Sequence, residues 1–173
     1  DVSTLGKIAL CGSDVGAFLD RVYINTFSTL PVGRVRYGVM LREDGFVMDD
    51  GTVARLTPEH YVLTTTTVNA GKVMQHLEYC HQVLWPELDV QMVSVTEQWA
   101  QYAVAGPRSR ELLQAMLGAA IDLSNDAFPY MGCAEFDFGD ISLRLFRVSF
   151  SGELAYEIAA PADRGEALLR ALM

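Results

Sequence analysis

Asp49 and Asp50 stand side by side before Gly51 and form the most informative ionisable pair in the chain. Adjacent carboxylates repel, so ionising both is disfavoured unless a donor or a cation is close, and functional carboxylates are commonly tuned in this way. The plainer reading is an Asp-Gly turn with both side chains in water, and local chemistry alone favours it. The histidines offer less. His60, His76 and His81 lie in or near one helix and its preceding turn, and His76 and His81 are five apart, so they diverge in direction. Solvated or partly packed histidines fit that spacing better than a zinc set or a catalytic base, and no metal site is expected. Cys11, Cys80 and Cys133 are odd in number and far apart, which excludes a disulfide framework and a CxxC pair. Each reads as a small buried apolar residue, in a reducing, cytoplasmic setting. Arg108-Ser109-Arg110-Glu111 opens a helix and could hold an anion at its free N–H groups, but a solvated first turn explains it without a ligand. GxGxxG, GxxxxGK[ST], GxSxG and HExxH are absent.

The elements that must position these residues follow from periodicity. Lys7 to Cys11 reads as a strand, with Gly12-Ser13 as turn and helix cap. A first helix follows from Asp14 to about Ile24, with Val15, Phe18, Leu19 and Val22 on one face. Arg34 to Leu41 and Phe46 to Met48 flank a hairpin turn at Asp44-Gly45. A second turn is expected at Asp49-Asp50-Gly51, then strands Thr52–Leu56 and Tyr61–Thr66. A second helix carries Val73, Met74, Leu77, Cys80 and Leu84 and ends at Pro86. Strands Val90–Val95 and Trp99–Ala105 precede a third helix with Pro107 in its first turn, running through Met116. A hairpin about Gly139-Asp140, a strand Ala155–Ala160 and a helix from Ala162 complete the chain. Strands outnumber the three to four helices and come in groups, so the expected class is α+β with mostly antiparallel sheets.

The bulk numbers agree with a folded domain. The chain has 173 residues, half hydrophobic and a fifth charged, with a formal net charge of -9. That acidity argues against nucleic acid, whose binding depends on clustered Lys and Arg. No apolar run reaches membrane-spanning length and the first residues lack a signal-peptide pattern, so no membrane partner is expected. The chain opens at Asp1 without a methionine and stops at Met173 within a helical pattern, which reads as one domain, residues 1–173, cut from a longer subunit at both ends.

Several segments, in order and spread nearly end to end, resemble the aminomethyltransferase, or glycine-cleavage T-protein-like, family. They are Asp1-Val2-Ser3, the Gly33 to Leu41 stretch with Arg36-Tyr37, Glu43 to Asp50, Gly106-Pro107, and Ser151-Gly152-Glu153 followed by Tyr156-Glu157. No single motif is specific; the ordered set is. Gly38 to Gly45, Met48 to Thr52, Thr64 to Thr67 and Cys80 to Val90 are similar to the branch of that family found in sarcosine oxidase alpha subunits.

The resemblance implies a tetrahydrofolate-binding, aminomethyltransferase-like fold and a role in one-carbon metabolism. It matches Asp49 to a carboxylate that approaches the folate nitrogens bearing the one-carbon unit and moves protons there, and Glu157 to one that pairs with the pterin. Tyr37 matches an aromatic residue near the folate; Thr64 and Thr65 match the strand end that lines the pocket. Leu5, Val39 or Val53 would supply apolar walls. For the whole complex it implies oxidative demethylation of sarcosine to glycine with oxygen, other sarcosine oxidase subunits as partners, and FAD, FMN and NAD held outside this chain. The isolated chain is expected to be inactive in that oxidation. Two other readings stay open: a glycine-cleavage aminomethyltransferase, against which the Cys80 to Val90 block speaks, and a non-catalytic folate-binding module. Two departures from the family stand out. Phe150 replaces a tyrosine of the Gly-Tyr-Thr-Gly stretch, and Leu154 replaces a small or acidic residue.

Overall fold

The computed structural model describes residues 1–173. The chain divides into two compact units, residues 4–96 and residues 97–173 together with 1–3. The expected α+β class with antiparallel sheets is what forms, one sheet in each unit. No helix is long and apolar enough to cross a membrane.

The first unit is built on β1 (Gly6–Cys11), α1 (Val15–Val22), β2 (Arg34–Leu41), β3 (Val47–Thr57), β4 (His60–Thr65), α2 (Ala70–Tyr79) and β5 (Gln91–Ser94). Its sheet runs in the order β2-β3-β4-β1-β5. Strand alternation gives one face Ile8, Leu10, Met40, Val53, Tyr61 and Leu63. These pack with Val15, Phe18 and Leu19 of α1 and with Val73 and Leu77 of α2 into one core. Burying a side chain of this size contributes roughly 1.5–3 kcal/mol, so the apolar stripe more than its propensity holds each short helix.

The Asp44-Gly45 turn forms as expected: Gly45 takes φ +83°, and Arg42 N–H donates to Phe46 O at 2.8 Å. The second expected turn does not exist. β3 runs unbroken through Asp49-Asp50-Gly51, because β2 pairs with it along this whole stretch, Gly38 opposite Gly51. Gly51 is there for close approach: a Cβ would lie 2.0 Å from the Thr64 main-chain oxygen. Other boundaries shift by less. The helix cap expected at Ser13 is absent, since Ser13 N–H and Oγ both donate to Asp89 Oδ2 at 3.0 Å. The second helix begins with a 3-10 turn, Thr67–Asn69, and after α2 widens into a π turn over Cys80–Leu84. Trp85 leaves the helical region because Pro86 crowds the residue before it.

The second unit contains β6 (Trp99–Ala105), α3 (Ser109–Leu117), β7 (Cys133–Phe138), β8 (Ile141–Phe146), β9 (Ala155–Pro161) and α4 (Gly165–Leu172). Its sheet order is β6-β9-β8-β7. Leu143, Leu145, Tyr156, Ile158 and Ala160 meet Leu113, Leu117 and Leu168 of the two helices in a second core. Pro107 precedes α3 instead of lying in its first turn: Gly106 at φ +116° and a Ser109 N–H to Gly106 O bond of 3.1 Å form a turn ahead of the helix.

Candidate functional site

Asp49 lies on the core-facing side of β3, opposite Met40, and is only 4% exposed. Asp50, one residue on, faces the other side of the sheet. The wet turn favoured by local chemistry is therefore not what these residues do. Just before Asp49 the ladder slips, with Asp49 opposite Met40 but Val47 opposite Leu41, so Met48 is an extra, bulged residue. A bulge bends its strand and leaves main-chain groups unpaired, and here it sets the aim of the next side chain.

Three donors meet the Asp49 carboxylate. Thr66 Oγ1 donates to Oδ1 at 2.6 Å, Asn69 Nδ2 donates to the same oxygen at 3.0 Å, and Thr66 N–H donates to Oδ2 at 3.1 Å. Asn69 Nδ2 also donates to Met48 O at 3.2 Å, taking up the carbonyl of the bulged residue. A buried carboxylate is tolerated only with such company. Burial first, and the nearby Asp49 charge second, push the Tyr23 phenol well above its ordinary range.

The remaining candidates of this unit divide between the two faces. Tyr37 is about half exposed (49%), and its hydroxyl donates to Asp50 Oδ2 at 2.8 Å. That bond first, then slight desolvation and the charges of Asp50 and Asp49, raise the phenol above its usual value. Thr64 shares this side: its Oγ1 accepts from Thr52 N–H at 2.9 Å and lies 2.9 Å from Thr52 Oγ1. Thr65 is buried on the Asp49 side and donates to Thr66 O at 2.9 Å. Both threonine hydroxyls are thus engaged where β4 parts from β3. Val53, expected as a pocket wall, is fully enclosed in the core, whereas Leu5 and Val39 are only partly buried.

Glu157 belongs to the second unit, on β9 opposite Ala103 of β6 and Phe146 of β8. It is half-buried, and the buried Gln101 amide donates to its Oε2. The Gln101 main chain is held by the N-terminal residues: Val2 N–H donates to Gln101 O at 2.9 Å, and Gln101 N–H donates to Ser3 Oγ at 2.9 Å. On the same side of this sheet the Arg144 guanidinium lies 3.8 Å over the Trp99 ring and pairs with Glu135.

Other residues weighed in the sequence are structural or wet. Cys80 and Cys133 are buried, but Cys11, at the end of β1 where the strand leaves the core, is exposed, against expectation. His81 Nε2 bonds Leu88 O at 2.9 Å, and burial lowers the His76 pKa. Arg108 pairs with Glu111 in solvent, while Arg110 donates to Tyr156 Oη at 3.0 Å and to Asn125 Oδ1 at 2.6 Å. Phe150 projects fully into solvent. The residues that sequence reasoning missed are Thr66, Asn69 and Gln101. The first two are the types expected to cap a helix, 17 and 20 positions from Asp49, and nothing local marks them as its partners.

A five-stranded and a four-stranded antiparallel sheet, each with its own helices, is a fold shared with a solved enzyme: the glycine cleavage system aminomethyltransferase T of Bartonella henselae superposes with a TM-score of 0.84 over 99% of this chain and 44% of its own, at 24% identity. Residues 1–173 match the GCVT N-terminal domain, and the chain belongs to that family. The sarcosine oxidase subunit alpha of Rhizobium meliloti (strain 1021) is 54% identical over 175 residues, covering all of this chain. An aminomethyltransferase of Exiguobacterium sibiricum is 30% identical over 173 residues. The chain spans 18% of the first relative and 46% of the second.

Proposed function

We propose that this chain is the tetrahydrofolate-binding part of a sarcosine oxidase alpha subunit, an oxidoreductase acting on a CH–NH bond with oxygen. The observation that carries the reading is the 54% identity to a sarcosine oxidase subunit alpha over the whole chain, against 30% to an aminomethyltransferase. The family also accommodates the second reading, a glycine-cleavage aminomethyltransferase, which the 30% identity to the Exiguobacterium enzyme supports. In the first reading the partners are the other subunits of the oxidase, FAD, FMN and NAD are held elsewhere in the complex, and the enzyme works in the cytoplasm.

The donor sets suit a folate. A pterin edge presents an amino group and a ring N–H, and Glu157 offers a carboxylate steadied by the Gln101 amide to face them. Tetrahydrofolate, when bound, supplies the amine nitrogens that accept the one-carbon unit. Asp49 takes and returns the proton at those nitrogens and favours the cationic stage of the transfer by its charge. Tyr37, half exposed beside Asp50 on the other face of β3, offers an aromatic ring to a part of the ligand away from Asp49. Thr65 shapes the strand end on the Asp49 side and Thr64 on the Asp50 side.

The test is the ratio of methylene-tetrahydrofolate formed to peroxide released by the purified full-length complex fed sarcosine. Asp49→Asn should lower that ratio on the order of a hundredfold, the usual worth of a lost acid–base group. A ratio equal to wild type would count against the folate role of Asp49. Transfer that requires a lipoyl-borne aminomethyl donor, with no sarcosine oxidation, would favour the second reading.

A further inference from the structure

We propose that Asn69 and Thr66 are positioning residues for Asp49, locking its carboxylate so that Oδ2 is the oxygen that exchanges the proton; the proposal rests on the folate reading above. Thr66 and Asn69 each stand immediately before a helical turn, Thr66 before Thr67–Asn69 and Asn69 before α2. Threonine and asparagine are favoured there because their oxygens accept from the first free N–H groups. Neither side chain does so here. Both turn to Asp49 instead, Thr66 Oγ1 at 2.6 Å and Asn69 Nδ2 at 3.0 Å from Oδ1. Two residues of the capping type give up capping for the same carboxylate.

The orientation of the Asn69 amide is settled by its partners, since Met48 O and Asp49 Oδ1 can only accept and therefore face the NH2 group. Oδ1 receives two donors and Oδ2 only one, the Thr66 main-chain N–H at 3.1 Å. A carboxylate oxygen has two acceptor directions, so Oδ1 is filled and Oδ2 keeps one. Rotating the side chain would break every one of these bonds. The Met48 bulge, whose carbonyl Asn69 also holds, fixes the backbone from which the carboxylate projects. A brace serving only the 66–69 turn would not require Asn69 to bind both Met48 O and Asp49.

The experiment is a pH profile of folate-dependent one-carbon transfer by the purified full-length complex, with the folded fraction of each variant read by circular dichroism. Asn69→Leu should lower kcat on the order of tenfold while the KM for tetrahydrofolate moves by less than about threefold, as loss of orientation predicts. Asn69→Asp places a second carboxylate where the amide nitrogen stood, which favours the protonated form of Asp49 and moves the acidic limb of kcat to higher pH. Thr66→Ser keeps the hydroxyl and should retain most of the rate. If both Asn69 variants lose rate only in proportion to folded protein, with the acidic limb unmoved and Asp49→Asn inactive, the positioning role is overturned and the folate reading stands. If Asp49→Asn transfers at the wild-type rate, both fall.

Discussion

Asp49 and Asp50 are neighbours in sequence and live on opposite faces of β3. Each has its own donors, so the repulsion expected of an adjacent pair is relieved by the pleat rather than by a cation. Asp50 takes the Tyr37 hydroxyl, and that bond is the first cause of the raised Tyr37 pKa. A phenol whose pKa is raised on folding contributes stability that is fully present below the unfolded value of 10.0 and is lost as pH rises through the folded one. Tyr37 should therefore titrate above the free phenol, and Asp50→Ala should bring it back toward 10.0, read from ring resonances against pH. An unchanged titration in that variant would show that Asp50 is not the cause. At this scale the pair was legible as adjacent carboxylates, and its surroundings, expected as an open turn, were not. The donors to Asp49 come from a turn on another segment, and their spacing from Asp49 follows no local period.

Two Asp-Gly signals lie six residues apart in the β2–β3 region and resolve differently. At Asp44-Gly45 nothing lies within 4 Å of a would-be Cβ and φ is +83°, so conformational freedom is what the glycine supplies and a turn is legible. At Asp50-Gly51 the glycine stays extended and admits the Thr64 main chain, a requirement set by tertiary pairing that no dipeptide rule contains. Gly51→Ala should cost about 1–3 kcal/mol in urea unfolding, the usual effect of forcing volume into a packed site. Gly71→Ala, in α2 with open space around it, should instead stabilise by about 0.4–1 kcal/mol. Equal effects at the two positions would refute the close-approach account of Gly51. Helix existence was legible throughout because apolar spacing marks the buried face. Helix ends were not, since the 3-10 and π turns that flank α2 answer to Asp49 and Pro86 rather than to periodicity.

The whole molecule holds two cores, and the proposed roles fall one to each unit: Asp49 in residues 4–96 and Glu157 in residues 97–173. The antiparallel α+β class was legible from grouped strands. The division into two units was not, because β5 and β6 follow each other with only a short 3-10 turn, Thr96–Gln98, and no composition shift between them. The central claim is a division of labour between proton transfer at Asp49 and pterin recognition at Glu157. Its most direct test is steady-state one-carbon transfer by the full-length complex with tetrahydrofolate varied, comparing Asp49→Asn with Glu157→Gln. Asp49→Asn should lower kcat on the order of a hundredfold with KM moved by less than about threefold, while Glu157→Gln should raise the KM for tetrahydrofolate by about tenfold or more with a smaller loss of kcat. Both variants shifting the same constant to the same degree, or neither shifting either, would contradict the account.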